Sequence, residues 1–254
     1  MMRISPRFKS LAAQLGLTAA DIFSHPAIKP WRTLSDRENC LWDLAVPGGE
    51  QFRWHVKRFA PHSGSDPARQ EAAGYAALRR RKIPTADVVA WGRHENRSFI
   101  ITADLAGFRP ADKLIESGEP FERLLIPTAE LAASLHNSGL HHRDLYLCHF
   151  LARSLDGKVE LRLIDAARVR RLPGALTRRR WIVKDLAQFH YSTLALPISD
   201  SQRRRWLEHY VLLTGIGRAE ALADSIARKS AMIAAHDRKL RQRQPGRHVS
   251  IPEK

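Results

Sequence analysis

The spacing of apolar and polar residues changes character along the chain. Residues 8–24, FKSLAAQLGLTAADIFS, carry a short helical periodicity broken at Gly16, with Thr18 and Asp21 spaced like a cap ahead of a second turn. Residues 1–30 therefore read as an N-terminal helical extension. From Trp31 to Asp104 the period falls to two. CLWDLAV and FRWHVKRF flank the turn signal PGGEQ, which predicts a β-hairpin over residues 40–59. DPARQEAAGYAALRRRKIP opens with Asp66 and Pro67 in N-cap and N1 fashion and closes before Pro84, so it predicts one helix. DVVAWGR and SFIITADL, joined by the turn-like HENR, complete a small lobe over residues 31–104.

Beyond residue 108 the pattern becomes helical. After PADKLIESG, the run FERLLIPTAELAASLHNSG places Leu124, Leu131 and Leu135 on one face and ends at Gly139. Pro127 predicts a kink or a later start for that helix. HFLARSLDGKVELRLIDAARV reads as a hairpin turning at Asp156 and Gly157, and the chain from about residue 181 is helical, ending in a basic tail at 241–254. The expected fold is α+β, with a β-rich lobe at 31–104 and a larger, mainly helical lobe at 105–240.

Composition narrows the class without choosing a function. Of the 254 residues 44% are hydrophobic and 27% charged, the balance of a folded chain. No window approaches 18 consecutive apolar residues, and the N-terminus lacks the apolar run of a secretory signal, so a cytoplasmic protein is expected. Cys40 and Cys148 are too few for a disulfide framework and are expected as thiols. A net charge of +16 predicts attraction to polyanions: nucleic acid, acidic lipid headgroups or phosphorylated glycans. No nucleic-acid motif accompanies it, so no specific nucleic-acid binding is expected.

The chemistry concentrates in HHRDLYLCHFLA, residues 141–152, open to three readings: a metal site, a nucleic-acid contact or a phosphotransfer loop. Asp144 follows a helix end and a His-Arg pair, where a carboxylate either satisfies a turn or receives the proton of an attacking hydroxyl. Asp165 ends the apolar run VELRLID, a placement that delivers a hard oxygen ligand for Mg²⁺ at a strand tip. His149 stands five residues after Asp144, where a second metal ligand or phosphate contact would fall. Lys57, in WHVKRF, and Glu71, 14 residues on in the following helix, read singly as surface residues. Together they match the way kinase-like folds hold an ammonium against nucleotide phosphates. A zinc site from His142, Cys148 and His149 lacks a fourth ligand at finger-like spacing.

With HHRDLYLCHFLA, LRLIDAARVR and RRRWIVKDLAQFHYS, the sequence resembles the Kdo/WaaP lipopolysaccharide kinases, sugar kinases of protein-kinase-like fold. The resemblance runs from about residue 31 to 215 and is tightest over 139–193. It implies a kinase that uses Mg-ATP to phosphorylate a heptose or Kdo hydroxyl, with a protein or small-molecule acceptor, or an inactive polyanion-binding scaffold, as the alternatives. It implies Lys57 and Glu71 as the phosphate-orienting pair, Asp144 as the base, Asp165 and His149 as Mg²⁺ ligands, and Arg37 and Asp104 as further nucleotide contacts. Structural support falls to His142, Arg143 and Asp185. Two departures stand out. The glycine-rich loop is replaced by SDREN at 35–39, so phosphate contact there must come from backbone N–H groups or Arg37, and Asp165 is followed by Ala-Ala rather than Phe-Gly.

The stretch RVRRLPGALTRRR, residues 168–180, holds six arginines and no acid. Beside a phosphotransfer site, Arg170, Arg171, Arg178, Arg179 and Arg180 are expected to clamp an anionic glycolipid or sugar acceptor. The basic tail is a second expected contact, with an anionic membrane face at the inner membrane.

Overall fold

Strand alternation in the first hundred residues builds one antiparallel sheet. In this computed structural model, residues 1–45, 49–61 and 63–243 are described. The sheet comprises β1 (Met2–Ile4), β2 (Ile28–Thr33), β3 (Arg37–Ala45), β4 (Gln51–Phe59), β5 (Val88–His94) and β6 (Arg97–Ala103), in the order β1-β5-β6-β4-β3-β2. Between β1 and β2 lie the short helices α1 (Lys9–Gln14) and α2 (Asp21–Ser24), and α3 (Pro67–Arg80) separates β4 from β5. Register puts Lys57 opposite Asn39 on β3 and Ile100 on β6, in the middle of the sheet.

Residues 1–30, expected as a separate extension, are instead part of this sheet and its core. Met2 to Ile4 pair with Gly92 to Ala90, and Phe8, Ala12, Leu17 and Ile22 are buried with Trp42, Trp54, Val56 and Phe99. The reason is size: helices of six and four residues cannot stand alone, and their apolar positions need the sheet to cover them. Gly92 permits the pairing, since a Cβ there would meet the Met1 carbonyl oxygen at 2.5 Å. The turn expected over SDREN is also shorter. Leu34 N–H donates to Arg37 O at 2.8 Å, and Arg37, Glu38 and Asn39 already belong to β3. Pro47 and Gly48 of the PGGEQ turn lie outside the described residues, as do residues 244–254 of the basic tail.

The later elements are β7 (Arg109–Pro110), α4 (Ala111–Glu116), α5 (Phe121–Asn137), β8 (Leu140–His141), β9 (Phe150–Leu155), β10 (Lys158–Leu163), β11 (Arg170–Arg171), α6 (Ala175–Thr193), α7 (Asp200–Thr214) and α8 (Ala219–Arg243). β9 and β10 form the hairpin expected at Asp156–Gly157, and β11 pairs with β8. α5 starts at Phe121, ahead of Pro127, rather than after it. Pro127 removes one backbone donor, and the neighbouring Thr128 hydroxyl donates to Leu124 O at 2.6 Å and so occupies a carbonyl of the same turn. Trp206 Nε1 donates to that hydroxyl at 2.9 Å, and its ring stacks on Phe189 at 4.1 Å, which joins α7 to α5 and α6.

Two compact units result. The first comprises residues 1–77, 85–106 and 166–168, and the second residues 78–84, 107–165 and 169 onward. The class is α+β, with a β-rich unit and a mainly helical one. Among the described residues no helix is long and apolar enough to cross a membrane.

Candidate active site

In the second unit, one polar face of α6 shapes the loop that carries Asp144. Asp185, Gln188 and Ser192 recur at helical spacing and are all buried. Asp185 accepts the His142 N–H at 2.6 Å and the Arg143 N–H at 2.8 Å, one on each oxygen. Gln188 Oε1 accepts the Leu145 N–H at 3.2 Å, and Ser192 Oγ the Leu147 N–H at 2.9 Å. The Arg143 carbonyl accepts from Lys184 Nζ and from Gln188 Nε2, both at 2.8 Å. Gln188 Nε2 also reaches Asp144 Oδ1 at 3.4 Å. Arg143 has a φ of 71°, a left-handed conformation that costs a non-glycine residue energy and persists because these long-range bonds impose it. Its guanidinium lies 4.9 Å over the Trp181 ring.

Asp185 is itself braced. His136 Nε2 stands 3.3 Å from its Oδ2, and His136 Nδ1 meets the Tyr210 hydroxyl at 2.7 Å. Burial alone would raise the Asp185 pKa, but the hydrogen bond from His136 and the loop N–H groups outweigh it and hold the carboxyl below its ordinary value.

His149 and Asp165 are brought together by backbone pairing. Ile164 N–H donates to His149 O at 3.0 Å, which fixes the residue before Asp165 against the loop. His149 Nδ1 lies 2.7 Å from Asp144 O, and because a carbonyl can only accept, Nδ1 carries the hydrogen. Nε2 is then turned toward Asp165 Oδ2, 3.6 Å away. Burial works against a charge on His149, but Cys148, Asp165 and the Asp144 carbonyl outweigh it and pull its pKa up to about 10. His142 is buried to the opposite effect and falls to about 4, with Nε2 donating to Ile164 O at 3.0 Å. Among the described residues no three His, Cys, Asp or Glu side chains are grouped to hold a metal ion, so the zinc alternative finds no ligand set. Asp165 has a φ of 59° and a side chain one-third exposed.

This pair fits a divalent cation. A cation binding here displaces the proton that a pKa of about 10 keeps on Nε2. The ring nitrogen, fixed by a carbonyl on its far side, and the adjacent accessible carboxylate oxygen then face one space, and Mg²⁺ takes its remaining ligands from water and phosphate. Imidazole is a softer donor than an amide oxygen, so the site also suits Mn²⁺.

In the first unit, Lys57 Nζ donates to Glu71 Oε1 at 2.7 Å. Glu71 is 1% exposed, so the helix-surface reading of this residue does not describe its place. Asp66 caps α3 by accepting the Arg69 N–H at 3.1 Å. One turn beyond Glu71, a Cβ on Gly74 would sit 1.9 Å from the Ala166 carbonyl oxygen. The small residues that follow Asp165 thus meet the helix that carries Glu71. Arg37 pairs with Asp36 at 3.0 Å and lies opposite Phe59, whereas Asp104 pairs with His55 at 2.8 Å beside the other end of β4. Trp54, next to that end, and Phe59 are five steps apart, about 17 Å at strand rise.

The arginines occupy two elements. Arg170 and Arg171 form β11, opposite His141 and Leu140 just before the loop, while Arg178, Arg179 and Arg180 lie on the first turns of α6. Arg178 donates to His136 O at 3.2 Å and Arg179 to Ala221 O at 3.5 Å. Sequence reading missed His136, Lys184, Gln188, Ser192, Tyr210 and Gly74. The available signal was the spacing of Asp185, Gln188 and Ser192 along one face of a helix.

The model of the lipopolysaccharide kinase (Kdo/WaaP) family matches residues 56–210. The lipopolysaccharide core heptose(I) kinase WaaP of Pseudomonas aeruginosa is 30% identical over 162 residues, 56% of this chain and 59% of that protein. WaaP of Escherichia coli K12 is 26% identical over 129 residues, 44% of this chain and 46% of that protein. The chain thus spans roughly half the length of these relatives. The crystal structure of WbdD aligns over 80% of this chain and 50% of its own at 16% identity with a TM-score of 0.47, too low to carry an argument. The match over residues 56–210 contains the Lys57–Glu71 pair, the loop at 141–149, Asp165 and the bracing face of α6, and it places this chain in the lipopolysaccharide kinase (Kdo/WaaP) family.

Proposed function

We propose that the chain transfers the γ-phosphate of ATP to a sugar hydroxyl, heptose or Kdo, of a lipopolysaccharide inner core or a similar anionic glycolipid. The observation that carries this reading is the pair of Asp185 oxygens on the His142 and Arg143 N–H groups, at 2.6 and 2.8 Å, because it fixes the backbone on which Asp144 stands. The curated relatives named as heptose(I) kinases support the acceptor class.

Asp144 aligns the acceptor hydroxyl and takes its proton. Lys57, held by Glu71, meets the α and β phosphates of ATP, with Arg37 and Asp104 as further nucleotide contacts. Asp165 and His149 hold Mg²⁺, which supplies charge neutralisation for the transferred group. Arg170 and Arg171, next to the loop in register, hold the anionic acceptor. Little covalent work falls to these residues, so positioning and charge supply most of the acceleration.

The test is transfer of labelled γ-phosphate from Mg-ATP to dephosphorylated lipopolysaccharide core. Label is expected in the core, with Asp144→Asn lowering kcat by at least about 100-fold while ATP binding changes little. Equal losses in kcat and ATP affinity would remove Asp144 from the role of base. Mg-ATP-dependent thermal stabilisation without label in the core would move the acceptor to another class.

A further inference from the structure

One end of the second unit is uncovered. Every residue from Gly174 to Arg180, the N-cap and first six residues of α6, is exposed, although the same helix buries Ile182 and most of its residues from Asp185 to Thr193. Leu176 projects fully into solvent at 102% relative exposure, and Leu212, near the end of α7, reaches 79%. Leu213 beside it is also exposed.

These leucines share one end of the unit. Arg178 Nη2 donates to His136 O at 3.2 Å, and Asn137 Nδ2 donates to Leu213 O at 3.0 Å, so the start of α6 and the end of α7 both meet the last turn of α5. Arg179 reaches Ala221 O and brings in the start of α8, and Leu172 N–H donates to Gly139 O at 2.8 Å and brings in β11. The exposed charges on these segments are Arg178, Arg179, Arg180 and Arg218, with Arg171 beside them on the acceptor side, against Glu220, Glu208 one turn before Leu212 and, one turn further along α8, Asp224.

A soluble anion would account for the arginines but not for the leucines among them. Protruding aliphatic side chains on segments that also carry exposed guanidinium groups match a surface that is apolar within and anionic at its face. We propose that this end of the second unit docks on an anionic lipid bilayer. Leu176, Leu212 and Leu213 enter the boundary between headgroups and acyl chains, and the arginines meet the lipid phosphates. The inference goes beyond the proposed reaction and stands on these surface residues alone, whatever the acceptor.

The experiment is co-sedimentation of the full chain with vesicles of phosphatidylcholine containing about one third phosphatidylglycerol, and with phosphatidylcholine alone. A Leu176→Ser, Leu212→Ser variant is run beside the wild type. Both side chains are exposed, so an unchanged thermal melt should confirm that the variant is folded. The wild type is expected to bind the anionic vesicles, weaken with salt and leave the neutral ones unbound, with the variant losing at least about tenfold in partitioning. Absence of binding to anionic vesicles overturns the proposal. So does binding that salt abolishes but the two serines leave intact, since that marks a general polyanion effect of the +16 chain or its tail. Phosphotransfer to lipid-free core sugar should survive in the variant, so failure of this proposal is distinguishable from failure of the kinase reading.

Discussion

Asp185 shows how much of an active site can rest on a side chain that touches no substrate. It is fully buried and serves two backbone donors and one imidazole. Asp185→Asn keeps the shape but replaces one acceptor oxygen by an NH₂ group that would face a backbone donor. A buried donor left without an acceptor, in a network built around a charge, costs on the order of 2–4 kcal/mol. That is a large part of the roughly 5–15 kcal/mol available to a folded domain. The variant should therefore fold, unfold at a clearly lower urea concentration and lose kcat. An unchanged urea midpoint would mean that the loop holds its shape without this carboxylate. Lys57 and Glu71 teach the converse. Each was legible as a pair because their order, strand then helix, matches a known chemistry, but the depth at which Glu71 is buried depends on packing that no local pattern records.

At the scale of elements, α3 makes the closest approach among the glycine positions. Gly74 is an unfavourable residue for a helix interior, and alanine there would gain about 1 kcal/mol in propensity. Against that stands a Cβ at 1.9 Å from a backbone oxygen, which cannot rotate away as a side chain could. Overpacking of this kind costs about 1–3 kcal/mol or more, so sterics should win. Gly74→Ala is expected to lower the melting temperature, and a rise would show that α3 shifts at little cost. The strands and helices themselves were largely readable, since period two and period 3.6 follow from which face is buried. β1 was not: three residues carry too short a pattern to declare a strand, and only the pairing with β5 makes them one. The polar face of α6 was unreadable for a different reason. Its partners lie 42 to 45 positions away in the chain, and a buried glutamine in a helix looks like a surface one until the fold brings the loop to it.

For the whole molecule, two neighbouring histidines contribute to the acid limit of stability, alongside Asp185, whose lowered pKa acts in the same direction. His141 and His142 are each lowered from 6.5 to about 4, chiefly by burial. Both groups bind protons in the unfolded chain before the folded one does. Their contribution is present above pH 6.5 and is lost as the pH falls toward 4, approaching about 1.4 kcal/mol per pH unit for each within that window. His149 has the opposite sign: its contribution is complete below 6.5 and is lost as the pH climbs toward 10. Urea midpoints measured without divalent cation should thus fall on both sides of neutrality, and His142→Asn should flatten the acid limb. An acid limb equally steep in that variant would assign it to other groups. The loop around Asp144 has a further consequence. Its amides at His142, Arg143, Leu145 and Leu147 are all held from α6 rather than by the loop itself. Within the loop Tyr146 N–H donates to Asp144 O at 2.9 Å and His149 N–H to Tyr146 O at 3.0 Å, a short turn that does not set the backbone at His142 and Arg143. The loop opens only when its helix departs, so the chemistry and the cooperative folding of this unit are lost in a single event rather than in stages.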